Sequence, residues 1–84
     1  MKVTVIGVGY VGLVSGVCLA DVGHQVACVD KDVDKIALLN NGETPIFEPN
    51  LKDLIKTNIA AGRVTFTTSL AEAVSGAEVI LFAV

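Results

Sequence analysis

The sequence predicts an α/β fold: an open parallel sheet of four strands in the spatial order third, second, first, fourth, with helices on its flanks. Short β-branched runs alternate with stretches of helical periodicity along all 84 residues. The stretch between the first two runs has the length of a crossover helix, which makes neighbouring strands parallel. Three glycines in the pattern G-x-G-x-x-G close the first apolar run, and right-handed crossovers then leave few ways to wind the chain.

The first strand, β1, runs from Val3 to its stop at Gly7 and has the composition of a strand covered on both faces. Helix α1 follows from Val11 to Val22, and Gly23 stands where a helix ends. Its apolar positions Val11, Val14, Ser15, Cys18, Leu19 and Val22 recur at helical spacing and are expected to pack on the sheet. Strand β2 is Gln25 to Asp30, and Asp32 is placed to cap helix α2 through Ile36 and Leu39 toward Gly42.

Periodicity breaks over Gly42 to Pro49, where two prolines make an ordered loop with Phe47 expected to plug its underside. Asn50 is the expected cap of helix α3, which carries Leu51, Leu54, Ile55 and Ile59 and ends at Gly62. Arg63 to Thr68 alternates, as an edge strand with one wetter face does; this is β3. Ser69 and Glu72 form a capping box for the short helix α4 through Leu70, Ala73 and Val74, closed by Ser75 and Gly76. The last strand, β4, is the apolar run Glu78 to Val84.

Composition narrows the function. With a net charge of −3 and 18% charged residues there is no basic excess, which argues against nucleic acid and anionic membrane surfaces as partners. No apolar run approaches the roughly 20 residues that cross a bilayer, and no apolar segment with a cleavage site opens the chain, so the expected location is cytoplasmic. Cys18 and Cys28 match neither a redox pair nor a zinc ligand set, and both are expected to be small buried hydrophobes. No metal site and no catalytic residue is read from these residues. His24 falls in the turn between α1 and β2, at the amino ends of the strands, where ligands of open sheets do not bind.

The glycines carry the chemistry. Gly7 lets the chain turn out of β1, Gly9 leaves room for a pyrophosphate at the amino terminus of α1, and Gly12 lets the helix come close to the sheet. Such a pattern alone is weak, but an acid at the end of the second strand, roughly 20 residues on, strengthens it. Asp30 is that acid. Its carboxylate suits the adenosine ribose and repels a 2′-phosphate, which favours NAD over NADP, although Lys31 and Lys35 stand close enough to receive a phosphate. Aspartate in place of the glutamate common in FAD-binding folds favours a nicotinamide cofactor. This is the first half of a Rossmann-type domain, and a full domain would continue past β4.

Four segments are specific beyond the generic pattern: the glycine loop with Tyr10 and Val11 inside it, LVSGVCLADVGHQV, VDKDVDKI and GETPIFEPNL. Together they resemble the UDP-glucose/GDP-mannose dehydrogenase family over the whole chain. The resemblance implies an NAD-dependent oxidoreductase that oxidises a sugar nucleotide twice at C6, UDP-glucose to UDP-glucuronate, with GDP-mannose as the alternative substrate. It implies pyrophosphate contacts from Gly7, Val8, Gly9, Tyr10, Val11 and Gly12, an adenosine-ribose contact from Asp30, and Lys35 beside it. It also implies a homo-oligomer, and catalytic residues in a central helix and a nucleotide-sugar domain beyond these 84 residues. Asn50 departs from the glycine that many members carry in E-P-G-L. A non-catalytic NAD(H)-sensing module would share the glycines and the acid but has no use for the P-I-F-E-P loop.

Overall fold

A computed structural model describes residues 1–84. It contains β1 (Lys2–Ile6), α1 (Tyr10–Asp21), β2 (Gln25–Val29), α2 (Val33–Asn40), α3 (Leu51–Ala60), β3 (Val64–Thr67), α4 (Leu70–Val74) and β4 (Val79–Phe82). The strands form one parallel sheet in the order β3-β2-β1-β4, the expected winding.

Strand register sorts the side chains into two layers, because successive residues point to opposite faces. Val3, Val26 and Val64 stand in one row and Val5, Cys28 and Phe66 in the next, all buried in a single core with Leu13, Val17, Leu39 and Ile55 from the helices. The opposite face carries Thr4, Ala27 and Thr65, and α4 lies across it, with the buried Thr4 hydroxyl donating to the Ala73 carbonyl. Strand β4 bonds only to β1, and all four of its residues are exposed.

Helix α1 turns nearly the opposite side to the sheet from the one expected, Val11, Val14, Ser15, Cys18, Leu19 and Val22. Its buried residues are Gly12, Leu13, Gly16, Val17 and Ala20, whereas Val11 is 66% and Val22 73% exposed. Val14 and Leu19 pack only at the margin of the core. Size explains the difference: a Cβ on Gly16 would come within 2.8 Å of Cys28 Sγ on β2 and one on Gly12 would run into the Gly7 carbonyl, so the buried side of the helix is a stripe with the small residues Gly12, Gly16 and Ala20. Close approach lets Leu13 and Val17 reach full burial beside that stripe. Cys18 is consequently exposed, contrary to expectation, while Cys28 is buried as expected.

Two loop expectations are also corrected. Phe47 does not plug the proline loop; it is 101% exposed, and its neighbour Ile46 packs against the core instead. Asn50 begins α3 without a side-chain cap bond, because its backbone is left-handed, with φ 77°. Glycine is the natural occupant of that conformation and asparagine its usual substitute, which accounts for the departure in this segment. Asn50→Gly is therefore expected to hold or raise stability, and Asn50→Ala to lower it by about 1 kcal/mol, read from urea unfolding midpoints of the intact protein. The capping box of α4 is half formed: Ser69 Oγ accepts from Glu72 N at 3.2 Å, but the Glu72 carboxylate accepts from Thr67 Oγ1 instead of reaching back to Ser69.

Candidate cofactor site

The carboxyl ends of β1 and β2 bring the glycine loop and Asp30 together. Gly7 N donates to Val29 O at 2.8 Å, fastening the loop to the last residue of β2. The backbone of Gly7 then takes φ 100°, a conformation other residues resist, and the chain turns into α1. Gly12 sits behind this turn, and a Cβ there would run into the Gly7 carbonyl oxygen. A Cβ on Gly9 would meet nothing within 4 Å, so the mouth of the loop is open where the helix begins.

That mouth is suited to an anion. Gly9 O accepts from Leu13 N at 2.9 Å, whereas the amides of Gly9, Tyr10, Val11 and Gly12 have no acceptor within the chain. No acidic side chain occupies the first turn of α1, so the positive end of the helix dipole is uncompensated. The open space, the unpaired amides and the absence of a competing carboxylate fit a pyrophosphate bound through backbone N–H groups.

Asp30 is part of the loop's architecture as well as its neighbour. Its Oδ2 accepts from Val8 N at 3.0 Å and its Oδ1 from Asp32 N at 3.0 Å, with Lys35 Nζ 3.9 Å from Oδ2. Lys35 is carried there by α2, whose first turn is capped by Asp32 Oδ1 accepting from Lys35 N at 3.1 Å. The Val8 amide, foremost, holds the Asp30 carboxyl below the ordinary carboxylate range against the opposing effect of partial burial; the Asp32 amide, the Lys35 charge and the Lys31 amide act in the same direction as Val8. A carboxyl depressed by folding stabilises the protein above its unfolded value, near pH 3.9, and that contribution disappears as pH falls through the folded value. Wild type is therefore expected to lose more stability below about pH 4 than Asp30→Asn does; parallel acid-unfolding curves for the two proteins would contradict the linkage.

Beside Asp30 lies a pocket of about 330 Å³, walled by Ile6, Gly7, Asp30, Lys31, Thr68 and Leu70 among others. Thr68 and Leu70 enter this wall because the strand order places the β3–α4 turn beside the end of β2. The sequence reading assigns Thr68 only to the end of β3 and Leu70 only to a short helix. The available signal was an apolar residue, Leu70, at the outermost position of a helix that follows a carboxyl strand end, where it remains 53% exposed.

The other candidates divide between the loop and the rest of the molecule. Tyr10 and Val11 stand exposed on the first turn of α1, at the mouth of the loop. His24 precedes β2 at the amino ends of the strands, away from the glycine loop. Burial pushes the Cys28 thiol up to about 12, so it carries no thiolate at neutral pH. In the proline loop Glu43 pairs with Lys52 at 3.2 Å across an open surface, and Glu48 supplies only its carbonyl, to Leu51 N.

Comparison with known proteins agrees with this geometry. The model of the UDP-glucose/GDP-mannose dehydrogenase family, NAD binding domain, matches residues 1–84. UDP-glucose 6-dehydrogenase of Rhizobium meliloti (strain 1021) is 57% identical over 84 residues, which are 100% of this chain and 19% of that protein. GDP-mannose 6-dehydrogenase of Pseudomonas syringae pv. syringae is 40% identical over the same span, with 19% of its length covered. The crystal structure of a ternary complex of GDP-mannose dehydrogenase from Pseudomonas aeruginosa superposes with a TM-score of 0.95 at 39% identity, covering 100% of this chain and 19% of that one. The chain thus spans about one fifth of the length of the relatives it matches.

Proposed function

Because this chain belongs to the UDP-glucose/GDP-mannose dehydrogenase family, as its NAD-binding domain, we propose that the protein carrying it oxidises UDP-glucose to UDP-glucuronate with two NAD per turnover. Its cofactor is NAD. The observation that carries the site assignment is the open glycine loop with four unpaired amides, bracketed to the carboxylate at the end of β2.

Under this reading the backbone of Gly7, Val8, Gly9, Tyr10, Val11 and Gly12 surrounds the pyrophosphate, with the unpaired amides of Gly9 to Gly12 as its donors. The Asp30 carboxylate, still with lone pairs to spare after its two backbone bonds, accepts from the adenosine ribose hydroxyls. Lys35 stands beside it, its Nζ 3.9 Å from Oδ2. Bound NAD supplies the hydride acceptor for each oxidation. This chain's residues bind and orient the cofactor; the groups that act on the sugar belong to a central helix and a nucleotide-sugar domain outside residues 1–84. The buried, un-ionised Cys28 thiol and Cys18 on the outer side of α1 are not its nucleophile.

Higher identity to the UDP-glucose enzyme than to the GDP-mannose enzyme over the same residues supports the choice of sugar nucleotide. Cytoplasmic residence completes the reading, and the family resemblance adds a homo-oligomer. Incubating the intact protein with NAD and each sugar nucleotide tests the proposal. Two NADH per UDP-glucuronate are expected, with GDP-mannose inert. Turnover of GDP-mannose alone would reassign the substrate, and tight NAD binding without oxidation of either would leave a sensing module.

A further inference from the structure

The glycine loop is held differently on its two sides. Toward β2, Gly7 N donates to Val29 O and Val8 N to Asp30 Oδ2. Toward β4, residues 7–9 make no hydrogen bond, and what meets the loop there is Ala83, the residue that follows β4. We propose that Ala83 is a positioning residue for the cofactor: its methyl group is the stop against which the first turn of α1 rests, and it sets where the unpaired amides of Gly9 to Gly12 point. This role rests on the reading of the loop as a pyrophosphate cradle.

Strand register brings Ala83 to this place. Val79 stands beside Val3 and Leu81 beside Val5, on the face of the sheet that α1 covers. Ala83 continues that alternate row, because successive strand residues point to opposite faces. Its N donates to Ile6 O at 2.8 Å, which holds it level with the exit of β1, and its side chain packs against the core. A Cβ on Gly12 would come within 3.0 Å of Ala83 Cβ, and one on Gly7 within 2.9 Å of the Ala83 carbonyl oxygen. One residue therefore bounds both glycines that shape the turn. The row is large at Val79 and Leu81 and small at Ala83, where the helix start comes down on it. Size at this position is thus limited from above and below. Valine would push two more carbons toward Gly12, and a close-packed contact makes room for them only by moving the helix start. Glycine would remove the stop. Because the β2 side stays fastened by its hydrogen bonds, either change tilts the first turn and turns its amides away from a common point.

A residue that only stabilised the fold would weaken every ligand alike when changed, whereas one that aims the amides weakens only ligands that carry the pyrophosphate. Binding of NAD, ADP-ribose and adenosine to the intact protein separates the two, with calorimetry for the first two and chemical-shift titration for adenosine. In Ala83→Val, affinity for NAD and ADP-ribose is expected to fall about tenfold while that for adenosine stays within about twofold. Ala83→Gly is expected to give the same split with about a threefold loss, and it decides the matter alone if the valine variant does not fold. Ala83→Ser, which adds a single atom, should retain affinity for all three ligands within about twofold of wild type. Failure of both Ala83→Val and Ala83→Gly to separate ADP-ribose from adenosine overturns the proposal, as do equal losses in Ala83→Ser and Ala83→Val. Wild type that binds adenosine but neither NAD nor ADP-ribose would instead remove the pyrophosphate assignment beneath it.

Discussion

Gly12→Val in the intact protein is expected to lower stability by roughly 3 kcal/mol and NAD affinity by about a hundredfold or more. Even the first carbon of the new side chain would overlap the Gly7 carbonyl oxygen, and Ala83 Cβ lies 3.0 Å away on the next side, so the helix cannot simply lean outward from one neighbour. Relief requires displacing the turn at Gly7, and with it the Gly7 bond to Val29 and the Val8 bond to Asp30. The unpaired amides then no longer converge. Two misdirected hydrogen bonds to a charged phosphate, at about 1.5 to 3 kcal/mol each, correspond to the affinity loss stated.

Gly9→Ala is the informative contrast. Gly9 has φ −69°, which any residue adopts, and space for a Cβ, so thermal stability should change by less than about 1 kcal/mol. The added methyl group points into the open mouth, and NAD affinity should still fall. Calorimetry and thermal melting on both variants separate the two outcomes. Equal loss of stability in both would mean that the loop is a fold element with no special bearing on the ligand.

The second large effect is at Asn58, which is fully buried on α3. Its Nδ2 donates to Leu54 O at 2.8 Å and to Asp21 Oδ1 at 3.2 Å, and its Oδ1 accepts from Arg63 Nε at 2.8 Å. One side chain therefore joins the end of α1, the body of α3 and the entry to β3. Asn58→Ala removes all three bonds and leaves a void, at an expected cost of about 3 kcal/mol. Asp21→Ala removes only an exposed partner that water can replace, and about 0.5 kcal/mol is expected. Urea unfolding of the two variants decides the matter: similar midpoints would show that the junction is held by apolar packing alone. Nothing in the sequence marks Asn58 as buried, because an asparagine in a helix between Thr57 and Ile59 is usually a solvated residue.

Much of the fold was legible because it depends on local periodicity. Short β-branched runs, helical spacing and glycine stops placed all eight elements, and crossover handedness then determined the strand order. The meeting of the glycine loop and Asp30 was legible for a related reason: in a parallel sheet wound this way, the loop after β1 and the residue after β2 must come together. Spacing along the chain is enough to put Gly7, Gly9, Gly12 and Asp30 at one end of the sheet. Phe47 could not be judged, since whether Ile46 or Phe47 turns inward depends on how the loop leaves α2 and enters the left-handed residue Asn50.

The sequence by itself determined the winding, the glycine loop and the acid opposite it, because each follows from spacing along the chain. Tertiary structure alone decided which side of α1 is inside. Apolar residues stand on every side of α1, and the distance between helix and sheet selected the side with Gly12, Gly16 and Ala20, since small side chains allow the approach that buries Leu13 and Val17. It also decided that Asp30 braces the glycine loop. A carboxylate at a strand end is visible in a sequence; that its Oδ2 lies 3.0 Å from Val8 N depends on how closely β1 and β2 pair in space.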